Sequence, residues 1–89
     1  MNSSTISWQM MEKIEITTRF KRDGTLVPLD FSLDEETIQI LNIGRQWITA
    51  EGRHILVMDY GQNTYHLFFQ LSDMSWYLIR DIKPGAGSI

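Results

Sequence analysis

From Ile55 to Ile82 the chain carries apolar side chains on both parities of an alternating pattern, with turn residues at Gly61-Gln62-Asn63 and Ser72-Asp73-Met74-Ser75. Successive side chains of a strand point to opposite faces, so these runs make a sheet that is oily on both sides and needs covering on both. Setting Tyr60 against Tyr65 and Leu71 against Trp76 gives a three-stranded unit. Its inner rows are Leu56-Phe69-Leu78 and Met58-Leu67-Arg80, and its outer rows are Val57-Phe68-Ile79, Ile55-Gln70-Tyr77 and Asp59-His66-Asp81. The register decides everything here, because a slip of one residue exchanges the faces.

A second hairpin precedes this unit. Ile14, Ile16, Thr18 and Phe20 alternate with Glu15, Thr17, Arg19 and Lys21, and Asp23-Gly24 follows, the dipeptide favoured where both central residues of a type I′ turn take positive φ. Pairing Arg22 with Thr25 sets Phe20 against Val27, Thr18 against Leu29, Ile16 against Phe31 and Ile14 against Leu33. Pro28 donates no ladder bond and is expected at an edge. Between the hairpins, Asp34-Glu35-Glu36 resembles an acidic helix start, but three isoleucines and a threonine within Thr37–Ile43 favour a strand, with a bulge near Ile40-Leu41. Gln46 to Arg53 reads as a connecting loop whose Trp47 plugs one end of the core.

With 89 residues there is room for one domain. Residues 1–11 read as a flexible leader or cover segment, 12–83 as the β-domain and 84–89 as a flexible tail. The fold expected is all-β, an antiparallel meander of about six strands forming a small, partly open barrel. The alternative is α+β with a short helix at 34–44. The absence of cysteine excludes disulfides, thiolate metal ligation and a cysteine nucleophile, and makes a reducing cytoplasm the expected setting. The opening residues lack a signal-peptide pattern, and no apolar run approaches the roughly 20 residues of a membrane helix.

Candidate chemistry is sparse. Asp59, His66 and Asp81 share a row in this register, where two carboxylates would favour protonated imidazole. A cross-strand charge cluster is the preferred explanation, and His54 falls on the opposite face, too far to complete a site. The glycines are isolated turn residues and form no phosphate cradle. No catalytic, cofactor-binding or metal residue is therefore assigned, and no cofactor is expected. Arg19, Lys21 and Arg22, with Trp47, Phe68 or Tyr77 for base stacking, form an alternative nucleic-acid surface, which the net charge of -3 argues against. The favoured surface is the outer patch of Ile55, Val57, Phe68, Tyr77 and Ile79. Its candidate covers are the leader with Trp8, Met10 and Met11, a second copy, or another protein. A homodimer or a protein partner is expected.

The run Arg19-Phe20-Lys21-Arg22-Asp23-Gly24-Thr25, the strand Pro28-Leu29-Asp30-Phe31 and the closing Ser75-Trp76-Tyr77-Leu78-Ile79-Arg80 resemble a small bacterial family of uncharacterised β-domains. These occur as stand-alone chains and as C-terminal appendages of polymerase-like proteins of the Y family. The resemblance implies an accessory role near nucleic acid. The chain departs from it at Asp34-Glu35-Glu36, where the relatives tend to carry a short turn containing Gly and Arg. The functional expectation is a non-catalytic interaction module that self-associates through an apolar sheet face.

Overall fold

The computed structural model describes residues 9–81, all in strands and tight connections: β1 (Gln9–Ile14), β2 (Ile16–Phe20), β3 (Leu26–Leu33), β4 (Glu36–Thr49), β5 (Gly52–Asp59), β6 (Thr64–Gln70) and β7 (Ser75–Asp81). They form one antiparallel sheet in the order β1-β7-β6-β5-β4-β3-β2, curled into a half-barrel. The all-β expectation holds, and 34–44 is not helical. Of the leader expected at 1–11, residues 1–8 lie outside the described residues, as does the tail expected at 84–89, whereas Gln9, Met10 and Met11 belong to β1.

Curling comes from two extended segments that each serve two partners. The run Gln9–Phe20 breaks at Glu15: the part before it pairs with β7 and the part after it with β3. At the break Ser32 N–H donates to the Glu15 carbonyl at 2.9 Å, and Glu15 N–H donates to Ser32 Oγ at 3.2 Å. Ile14 therefore lies against Trp76 rather than Leu33. Likewise β4 pairs through Glu36–Gln39 with β3, then from Ile40 onward with β5. Its register shifts between Ile40 and Asn42, where a bulge was expected, and again between Ile43 and Gln46. Bulges bend and twist a strand, which is how one 14-residue strand spans both halves. The segment expected to be a loop is thus mostly strand, with only Ala50 and Glu51 forming the turn.

The loops correct the expected registers. Lys21 N–H donates to the Thr25 carbonyl and Gly24 N–H to the Lys21 carbonyl, both at 2.8 Å, with Gly24 at φ 90°. This is the three-residue hairpin loop with a left-handed third residue, not a two-residue type I′ turn. Pairing accordingly starts at Phe20 with Leu26, and a bulge at Thr17/Thr18 restores Ile16 to Phe31. Pro28 sits beside that bulge, where β4 does not pair with β3, so its missing donor costs no ladder bond. The genuine two-residue turn with two positive φ values is Asp34-Glu35, at 52° and 67°.

Between β5 and β6 the loop again has three residues, Tyr60-Gly61-Gln62, closed by Asp59 N–H donating to the Asn63 carbonyl at 3.0 Å. The Asp59 carboxylate holds it by accepting from the N–H groups of Gly61 and Asn63 at 2.8 and 2.9 Å. The pairing is Met58 with Thr64 and Ile55 with Leu67, displaced by three residues from the expected one. Between β6 and β7 the displacement is two, with Gln70 against Ser75. An odd displacement exchanges faces and an even one does not, so β6 and β7 present the expected faces and β5 the opposite.

The interior is formed by Ile14, Phe31, Ile55, Val57, Leu67 and Leu78, with Ile55 and Leu67 fully buried. β3 lays Phe31 across the sheet, its ring edge-to-face with Tyr65 at 5.1 Å. Fully burying such side chains is worth roughly 1.5–3 kcal/mol each.

Candidate functional site on the outer sheet face

The concave face is closed by the β2–β3 layer, which leaves the convex face of β4–β7 as the place to look for function. Register builds it in rows. Trp47, His54, Phe68 and Tyr77 align across β4, β5, β6 and β7, ending at Lys13 on β1. Leu56, His66, Ile79 and Met11 form the adjacent row.

The first row is a stack of rings. His54 lies 4.9 Å from Trp47 with planes 3° apart, and 4.5 Å from Phe68 at 27°. These spacings match the ~4.8 Å between neighbouring strands, so the rings stand upright and press their faces on one another. The Arg45 guanidinium lies 5.1 Å from the Trp47 ring centre. Phe68 is only 4% exposed although it belongs to the outer face.

Behind the stack runs a polar chain. Thr49 Oγ1 donates to the Gly52 carbonyl at 3.4 Å and lies 3.1 Å from His54 Nε2, while His54 Nδ1 lies 2.8 Å from His66 Nε2. Loss of water around the half-buried His54 pushes its pKa below the ordinary imidazole value, an effect that Glu51 partly offsets. Gly52 gives the turn its closeness: a Cβ there would collide with the Phe69 carbonyl and lie 3.0 Å from Phe68 Cε1.

Of the five residues expected outside, Phe68, Tyr77 and Ile79 are brought together on this face. Ile55 and Val57 are not: both are in the core, at 0% and 2% exposure, because of the three-residue displacement of β5. The same displacement brings His54, which had been expected on the far side, beside His66. The row Asp59-His66-Asp81 does not form; His66 pairs with Leu56 and Ile79. Asp59 is occupied by its own turn and by Tyr65 O–H, which donates to it at 2.9 Å. The bond from the Asn63 N–H leads the contacts that lower the Asp59 pKa, whereas burial and the bond to Asp59 raise that of Tyr65.

Arg19, Lys21 and Arg22 are exposed on β2 and its loop, beyond the break at Glu15. They are not gathered with Trp47, Phe68 and Tyr77. A shallow cleft of about 460 Å³ is lined in part by Leu33, Tyr65, Leu78 and Arg80, but its polar groups already pair: Tyr65 with Asp59, and Arg80 with Glu12 at 3.3 Å. Among the described residues no three His, Asp or Glu side chains gather to hold a metal, and no helix is long and apolar enough to cross a membrane. Comparison with protein-family models, curated proteins and solved structures finds no match.

Sequence reasoning missed the Thr49–His54–His66 chain and the upright ring stack. The available signal was Trp47, His54 and Phe68 on neighbouring strands, which only the correct loop lengths bring into one row.

Proposed function

We propose that this chain is a non-catalytic protein-interaction module that self-associates through the outer face of β5–β7. The observation that supports it is that the sheet is apolar on both sides while, among the described residues, only the inner side has strands packed over it. The contact surface on this reading is Tyr77 and Ile79 with Leu56 and Met11, flanking the buried Phe68. Met11, 46% exposed and paired with Ile79, contributes an oily edge to the patch. A second copy matches this surface because an isologous contact covers the same patch on both partners. A bacterial cytoplasm is the setting proposed with it.

Ring geometry disfavours the nucleic-acid alternative. A base needs a free ring face on which to stack, and both faces of His54, one face of Phe68 and one face of Trp47 are already turned on neighbouring rings, while Phe68 is nearly buried.

The test is mass in solution for the wild type, Met11→Lys and Ile79→Lys. The expected result is a wild-type dimer that each lysine converts to monomer. Wild-type protein that is monomeric at high micromolar concentration overturns the reading. Oligonucleotide affinity at low salt that falls steeply as salt rises would revive the alternative.

A further inference from the structure

We propose that the bulge of β4 builds a cleft on the outer face that binds a small aliphatic carboxylate, with Arg45 as its anion-binding residue. This goes beyond the self-association reading and does not depend on it.

The bulge creates the site. Ile43 pairs with Val57 and Gln46 with Ile55, so two residues of β4, Gly44 and Arg45, stand opposite the single Leu56. Such a two-against-one step interrupts the ladder and re-aims the side chains beside it. Arg45 lies two residues before Trp47 and shares its outer parity, and its guanidinium rests 5.1 Å from the Trp47 ring centre. Asn42 and Thr64 both pair with Met58, one from each side, and form the row next to Leu56. Over these residues lies a cleft of about 240 Å³ lined in part by Asn42, Gly44, Arg45, Leu56, Met58 and Thr64. Gly44 holds it open. A Cβ there would lie 3.6 Å from the Leu56 carbonyl oxygen and 3.9 Å from Leu56 Cβ, which is ordinary contact, and Gly44 is not at positive φ. Neither a clash nor a left-handed backbone therefore calls for glycine, which weakens a strand interior. What the missing side chain leaves is the cleft.

The lining selects the ligand. Leu56 and Met58 make an apolar floor, and among the described residues no carboxylate lines the cleft. Arg45 makes no ion pair among the described residues, and the side chains of Asn42 and Thr64 make no hydrogen bond there. The larger cleft differs in this respect, since its Tyr65 and Arg80 are already paired. One guanidinium held against a ring presents its fork to one carboxylate, and the amide and hydroxyl add hydrogen bonds without adding charge. A phosphate dianion would meet a single cation and an oily floor. The volume lies below the roughly 300–1,000 Å³ of sites for drug-sized ligands, so the apolar part of the acid is a short chain.

The experiment is NMR titration with hexanoate, hexan-1-ol, hexylammonium, inorganic phosphate and N-acetyl-leucine, following the amides of Gly44, Arg45, Leu56 and Thr64. Hexanoate should shift these amides saturably with an affinity on the order of 1 mM, which a ligand of this size can supply. Hexan-1-ol and phosphate should bind at least about tenfold more weakly, and hexylammonium not at all. Arg45→Gln should weaken hexanoate binding by about tenfold. Gly44→Leu should abolish it. Gly44→Ala should weaken it with the thermal midpoint at or above that of the wild type, and it carries the test should Gly44→Leu fail to fold. No saturable shift, equal binding of hexan-1-ol or phosphate, or an unchanged affinity in Arg45→Gln overturns the proposal. N-acetyl-leucine binding far more tightly than hexanoate overturns it in favour of a peptide terminus. Leu56 also belongs to the proposed dimer contact, so Met11→Lys should bind hexanoate at least as tightly as the wild type. Binding in a wild type that is monomeric supports the cleft and sinks the self-association reading. A wild-type dimer whose monomeric Met11→Lys variant ignores hexanoate does the reverse.

Discussion

The two faces of β5–β7 bury their side chains by different means. Inside, Ile55, Leu67 and Leu78 form one row beneath a second layer that carries Phe31, and aliphatic contact from above removes water. Outside, Trp47, His54 and Phe68 stack sideways, ring against ring, and Phe68 is nearly as hidden as the core. Burial from above follows area and tolerates small shifts. Lateral stacking holds only while the register keeps the rings in one row, and charging the half-buried middle ring costs the water it has lost. The inner face should therefore carry most of the stability and the outer face most of the sensitivity to conditions.

Leu67→Ala tests the first half of that contrast and should have the largest effect, about 3–4 kcal/mol in urea unfolding, since it empties a fully buried site under a rigid layer. Gly52→Ala comes next at about 3 kcal/mol, because its methyl would strike the Phe69 carbonyl, a backbone atom that cannot swing aside. Trp47→Ala should cost less, about 1.5 kcal/mol, for a half-exposed ring that loses one stacked partner and one guanidinium. A Trp47→Ala loss equal to that of Leu67→Ala would erase the distinction between the faces.

The pH dependence sharpens it. The folded-state pKa of His54 lies below its unfolded value, so the neutral ring contributes stability that is fully present above about pH 6.5 and is lost as pH falls through the folded value. Urea midpoints should fall from pH 7.5 to 5.0 in the wild type, and the penalty of Trp47→Ala should shrink at pH 5.0 because removing the indole readmits water to His54 and relieves the cost of charging it. The penalty of Leu67→Ala should be the same at both. A Trp47→Ala penalty independent of pH would separate the stack from the imidazole charge.

How much of this was legible follows from parity. Alternation alone identified the strands around Phe20, Phe31, Leu67 and Leu78, and the bulge near Leu41 followed from the broken alternation of Ile38, Ile40 and Ile43. Phe68, Tyr77 and Ile79 were placed outside correctly because the β6–β7 error was even. Ile55 and Val57 were placed wrongly because the β5–β6 error was odd, and the histidine pair was hidden by that same error. The cause is local and chemical. Asp59, read as a strand residue, folds its carboxylate back onto Gly61 and Asn63 and ends the strand early. Asp-Gly at 23–24 suggested the two-residue turn, which instead formed at Asp34-Glu35 without a glycine.

The loops that set these registers give the smallest and most pointed prediction. Lys21–Thr25 and Asp59–Asn63 are the same loop type, with a left-handed third residue that is Gly24 in one and Gln62 in the other, at φ 90° and 69°. An L-residue pays roughly 1–2 kcal/mol for that conformation, while glycine pays mainly in the entropy it loses on folding. Gln62→Gly should therefore stabilise the protein by about 0.5–1 kcal/mol. Gly24→Ala should destabilise it by about 1 kcal/mol although nothing lies within 4 Å of the added methyl. Glu35→Gly, at φ 67° in the two-residue turn, should gain about as much as Gln62→Gly. Opposite signs at matching positions would show that backbone conformation, not contact, is what these residues contribute. A loss at Gln62→Gly would mean that its side chain helps fix the register that places His54 against His66, and the outer face would then depend on this loop as much as on its own rings.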